Sequence, residues 1–176
     1  MKQSNKGQIF STDFIISIGI FIFILNVSIL IWNNINSQID QGEISNKFQT
    51  KLISTSTLLL ETTGLPKNWE KLDPQIEKKK ISQIGLAIKS NVLSYEKITA
   101  LKNLPYDDAK EIMGLETENI YIEILDASGN ILNMNGKDMK FGLLPINAEN
   151  IYKISRPVIM ENDDTQTIGV MNVILW

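Results

Sequence analysis

The sequence predicts an α+β protein. One long N-terminal helix, apolar in its first half, precedes a small head of short helices and an antiparallel β-sheet. Three observations carry this reading. Phe14 to Trp32 contains no Lys, Arg, Asp or Glu. Ile35, Ile39, Ile44, Phe48, Leu52 and Leu59 then recur at loosely helical spacing. From Asn119 the pattern changes to the alternation of strands.

The apolar run comes first. Its roughly 19 residues span about 28 Å as a helix, close to the hydrocarbon thickness of a bilayer. Lys2 and Lys6 precede it, and no further cation occurs until Lys47. The positive-inside rule therefore places the N-terminus in the cytoplasm and the C-terminal body outside, a single-pass arrangement in the cell membrane. Trp32 stands where an interfacial aromatic anchor belongs. A cleaved secretory signal would have a shorter apolar core followed by a small-x-small site. Ile29-Leu30-Ile31-Trp32 instead runs straight into Asn33-Asn34-Ile35-Asn36. Asn26 lies deep in the span, where its amide needs a partner on another helix or on its own backbone. Ser17 and Gly19 make a small-residue patch nearer the start.

The helical pattern continues past the span. One helix is expected from about Ser11 to Thr63, with a bend or joint between Asn33 and Gly42 as the alternative, and Gly64 and Pro66 end it. At about 1.5 Å per residue it would be about 80 Å long. Its second half is amphipathic and suited to packing on the head.

Leu65 to Pro74 is a loop whose Trp69 is expected to fill the head's core. Ile81 to Ile88 is expected as a short strand. Ser94 can cap a helix running to Lys102, and Pro105 starts another that Gly114 closes. Tyr121 to Leu125 forms a strand, and Asp126-Ala127-Ser128-Gly129-Asn130 forms the turn after it. Ile151 to Met160 pairs with Thr167 to Trp176, giving three to five antiparallel strands in all. Pro157 marks its strand as an edge or a bulge.

The composition excludes much chemistry. The chain has 176 residues, a formal net charge of -3, and neither Cys nor His. Cysteine nucleophiles, disulfides, histidine bases and most transition-metal sites are thereby removed. The small net charge argues against nucleic acid as a partner. Asp107, Asp108 and Glu111 resemble a metal cluster in composition, yet acids at a helix start account for them. Glu161, Asp163 and Asp164 lack the spacing of a calcium loop, and a solvated turn accounts for them. There is no Gly-rich phosphate loop or nucleophile elbow. The expectation is a non-enzyme without a cofactor.

The leader Lys6-Gly7-Gln8-Ile9-Phe10-Ser11-Thr12-Asp13-Phe14 resembles the class III signal peptide of archaeal type IV pilin-like proteins. Leu65-Pro66-Lys67-Asn68-Trp69, Ile84-Gly85-Leu86-Ala87, Leu93-Ser94-Tyr95-Glu96-Lys97 and Ile112-Met113-Gly114-Leu115 extend the resemblance along the chain. It implies a type IV pilin-like fold and cleavage by a prepilin peptidase after Gly7, leaving Gln8 as the new N-terminus. The domains would then be a leader over 1–7, a long helix over 8–63 with the span at 14–32, and an extracytoplasmic head over 64–176. The implied role is a minor pilin or pseudopilin of an archaeal surface filament. Its partners would be membrane lipid, the peptidase, other pilin subunits and the pilus assembly platform.

Asp13 would pair with a subunit's α-amino group in the dry filament core, and Asn26 would join helix–helix packing. The family's usual acid is a Glu at the fifth mature position, whereas Asp13 would be the sixth. Asp13 is open to a second role as a helix N-terminal acid, with Ser11 or Thr12 as the cap. The reading from another class is a permanently anchored extracytoplasmic sensor, adhesin or binding module.

Overall fold

The computed structural model describes residues 6–73, 76–162 and 165–176, with the side chains of 6–11, 36–41, 43 and 44 left aside. The chain divides into two compact units, Met1–Asn46 and Lys47–Trp176. Helix α1, Lys6–Glu61, contributes to both. It begins about a turn before the expected start at Ser11. It is helical through Asn33 to Gly42, so no break in secondary structure separates its two halves.

In the second unit, the last turns of α1 supply Leu52, Leu59 and Leu60 to the core. Phe48 stacks on Tyr152, with ring centroids 5.0 Å apart. Gly64 follows at φ +82°, a left-handed conformation that ends a helix at little steric cost. Trp69, in a single turn of 3-10 helix at Trp69–Lys71, is fully buried as expected. Its indole N–H donates to the Gly85 carbonyl at 2.9 Å. A Cβ on Gly64 would meet that indole, and one on Gly85 would run into the Thr62 carbonyl oxygen. Only glycine allows the three segments to meet here.

The expected strand over Ile81 to Ile88 shrinks to β1, Ala87–Lys89. Residues 81–86 are irregular apart from an isolated bridge between Gln83 and Leu65. β2 is Val92–Ser94, and the Ser94 hydroxyl caps helix α2, Tyr95–Asn103, by accepting from the Lys97 N–H. Helix α3, Tyr106–Ile112, follows Pro105 and carries Asp107 and Asp108 in its first turn. The remaining strands are β3 (Ile120–Leu125), β4 (Asn133–Met134), β5 (Lys137–Asp138), β6 (Lys140–Gly142), β7 (Tyr152–Asn162) and β8 (Thr165–Leu175). Asp126 builds the expected turn after β3, its Oδ1 accepting from the Ser128 and Asn130 N–H groups.

Six strands form one sheet in the order β1-β2-β7-β8-β3-β6, and β4 pairs with β5 in a separate ribbon. The sheet is not wholly antiparallel, because β2 and β7 pair in parallel. That pair joins segments far apart in sequence, which alternation within either strand cannot signal. The long hairpin of β7 and β8 is in register from Tyr152↔Leu175 to Asn162↔Thr165. Pro157 lies beyond the Ile159–Glu161 stretch where β2 pairs, so β8 is its sole strand neighbour. The edge expected from Pro157 thus extends over residues 152–158, which pair with β8 on one side only.

One sheet face packs Ile120, Ile122, Ile124, Val158, Met160, Met171, Val173 and Leu175 into a core shared with α1, α2 and α3. The other face carries a polar row. Ser155 donates to Asn172 Oδ1 at 2.7 Å, and Asn172 Nδ2 donates to Glu123 Oε1 at 2.9 Å.

Candidate functional site

The strongest candidate is a stretch of helix. Within α1, the stretch Thr12–Ile35 holds an 18-residue window with a mean hydropathy of 2.8, and none of the stretch is buried in the molecule. The expected span, 14–32, lies inside it. Phe14, Phe21, Phe23, Leu30 and Trp32 are each more than three-fifths exposed. Each large apolar side chain gains roughly 2 kcal/mol on leaving water. An uncovered stretch of this size therefore calls for a bilayer or for other apolar helices. By length and composition it can cross a membrane once, properties that an anchor and a signal segment share.

Gly7 and Gln8 fall in the first turn of α1, and Met1 to Asn5 lie outside the described residues. Asp13 is exposed. Because α1 starts at Lys6, no acid occupies its first turn, and neither Ser11 nor Thr12 is its N-cap. Asn26 donates through Nδ2 to the Ile22 carbonyl at 2.8 Å, and Ser28 donates to Ile24 in the same manner at 2.8 Å. Of the two partners open to the Asn26 amide, its own backbone supplies one.

Asp108 and Glu161, two of the acidic candidates of the head, each accept from a neighbouring side chain. Asp108 receives Lys78 Nζ at 2.8 and 3.0 Å. Among the described residues no group of three or more acidic, histidine or cysteine side chains could hold a metal. Glu161 accepts from Gln166 Nε2 at 2.9 Å, while Asp163 and Asp164 lie outside the described residues.

Two features escaped the sequence. Lys97 is buried, and its ammonium donates to the carbonyls of Thr63, Lys67 and Ala87 at 2.5, 3.2 and 3.3 Å. Burial pushes its pKa down, and the Glu70 carboxylate works against that shift. It ties the end of α1 to the Trp69 loop and β1. Nothing in the local pattern marked this lysine apart from other helix lysines. The second feature is a groove of about 530 Å³ along β6, walled by Leu104, Tyr106, Tyr121, Phe141, Leu144 and Ile146. The run Leu143-Leu144-Pro145-Ile146 was the available signal, three exposed apolar residues around a proline.

No family model matches the chain, and neither a curated protein nor a solved structure does. What the chain shows of itself is an α+β protein with one N-terminal helix long and apolar enough to span a membrane.

Proposed function

We propose that this chain is a structural subunit, a minor pilin or pseudopilin, of an archaeal type IV-like surface filament, and that it is not an enzyme. The observation that supports this reading most is the wholly uncovered apolar stretch Thr12–Ile35, three residues after Lys6-Gly7-Gln8. A prepilin peptidase cuts after Gly7 on the cytoplasmic side. The helix waits in the membrane as a single span, with the head outside. The assembly platform then extracts it, and the apolar surface moves from lipid to sister helices with little change in its environment. Asp13 supplies the one carboxylate in the stretch and pairs with a neighbour's α-amino group. Asn26 keeps its carbonyl oxygen for a neighbouring helix.

The N-terminal mass of the native protein tests the reading. A mature N-terminus at Gln8 supports it. An intact leader on the surface-exposed protein sinks it and leaves the permanently anchored sensor or adhesin in its place.

A further inference from the structure

The β4–β5 ribbon stands apart from the six-stranded sheet. Each of its strands has two residues, with Asn133 opposite Asp138 and Met134 opposite Lys137. Asn135 and Gly136 join them at φ +51° and +74°. Positive φ at both central positions marks a type I′ turn, for which Asn-Gly is a favoured pair. The sequence holds no other Asn-Gly step.

That pair sets the Asn135 amide carbon one five-membered ring away from the Gly136 nitrogen, and no Cβ on Gly136 shields the attack. Asn135, Gly136 and Lys137 are all exposed. A Cβ built on Gly136 would meet nothing within 4 Å, so the surroundings leave room for the ring. Met134 and Lys137 close the turn, and the ladder leaves the Gly136 N–H unused. Ring closure rotates the Asn135 backbone out of the turn, so the tip has to open. A two-stranded ribbon is marginal alone, and its local opening costs far less than global unfolding. The root stays shut: Leu132 and Met139 are buried, and the Met139 N–H donates to the Leu132 carbonyl at 2.8 Å. Asn36 is the one other asparagine followed by Gly or Ser, and Ser37 lies inside α1, where its N–H is committed to the helix.

We infer that Asn135 is a self-modification site, converting in the folded protein to aspartate and isoaspartate with water as the co-reactant. The Gly136 nitrogen attacks Asn135 Cγ. The N–Cγ bond forms, the Cγ–Nδ2 bond breaks, and Nδ2 leaves as ammonia with the proton that Gly136 gives up. Water then opens the cyclic imide. Cleavage of the new N–Cγ bond gives aspartate on an unchanged backbone. Cleavage of the bond from the nitrogen to the Asn135 main-chain carbon gives isoaspartate, whose chain runs through Cβ and Cγ and is longer by a methylene. Both products place a carboxylate at the tip beside Lys137. The longer backbone no longer fits a two-residue turn, so the isoaspartate form loses the pairing of Asn133 with Asp138. The ribbon tip thus changes charge and shape with age while the core of the head stays as it was.

The test incubates the full chain in detergent micelles at mildly acid and mildly alkaline pH. Peptide mapping by mass spectrometry follows residue 135, and electron-transfer fragmentation tells isoaspartate from aspartate. The peptide acetyl-Asn-Met-Asn-Gly-Lys-Asp-amide gives the rate without a fold. Acid should accumulate at Asn135 ahead of every other asparagine, faster at the alkaline pH because the attacking nitrogen must lose its proton. The rate should lie within about tenfold of the peptide's, as expected for a tip that opens locally. Asn135→Gln should abolish conversion at that position, since its ring would need six members. Thermal melts of converted and fresh protein should coincide. An Asn135 that remains an amide after the peptide has converted would overturn the proposal. So would conversion that occurs only in urea, equal conversion at asparagines outside the turn, or a lowered melting temperature of the converted protein.

Discussion

Lys51 reaches both oxygens of the Glu118 carboxylate at 2.8 Å, joining the last turns of α1 to the segment that enters β3. Glu118 is 2% exposed, and its side chain also accepts from the Thr117 N–H at 3.3 Å. Burial pushes its pKa up. The hydrogen bonds from Lys51 and the backbone, with the charge of Lys51, outweigh that and hold it below the ordinary 4.5. A lowered folded-state value means that the stabilisation is complete above about pH 4.5 and is lost as pH falls through the lowered value. Urea titrations between neutral and acid pH should show this loss, and Glu118→Gln should flatten it. Lys51→Met leaves the carboxylate buried without its cation and should cost about 3 kcal/mol at neutral pH.

Lys97 runs in the opposite sense. Its pKa is lowered by burial, so the unfolded chain binds the proton more tightly than the folded one. Its contribution to stability should therefore rise as pH climbs from the lowered value toward 10.5. Lys97→Met relieves the buried charge but strands three carbonyls, and a net loss of about 3 kcal/mol is expected in denaturant titrations. A neutral or stabilising result would mean that water replaces the ammonium at those carbonyls.

The glycines around Trp69 give a sharper contrast. Gly85→Ala should abolish folding of the head or cost more than about 3 kcal/mol, because the new methyl group collides with the Thr62 backbone. Gly129, at φ +82° with open space around it, should cost only about 1 kcal/mol as Ala. Thermal melts of the two variants separate the steric cost from the conformational one.

For the filament reading, replacing Gly7 with a bulky residue should leave the leader attached, as read by mass. Asp13→Ala should be processed normally yet fail to enter filaments. Its presence in sheared filaments at the wild-type level would remove the pairing role. Asn26→Leu should insert normally, since the Ile22 carbonyl it bonds is already part of the helix ladder. A reduced filament level in that variant would mark the amide as an assembly contact.

Much of the second unit was legible because its signals are local. Ser94 with the helix after it, Gly64 at the end of α1, and the alternation of Tyr121 to Leu125 each specify backbone geometry within a few residues. The pairing of β7 with β8 followed from two alternating runs and one polar turn. Ile81 to Ile88 failed as a strand because its apolar residues fill the core from an irregular path bridged to Leu65. Tertiary contacts there override propensity.

What the sequence by itself determined is the division of labour: an apolar helix that cannot stay in water, and a head that must hold together by packing without disulfides. Those follow from composition and period, which act at short range. The tertiary structure decided that β2 and β7 pair in parallel. It also joined Lys51 to Glu118 across 67 positions of chain and buried Lys97 against carbonyls 10, 30 and 34 residues away. Such contacts exist only once the chain has closed its loops, and no local pattern records them.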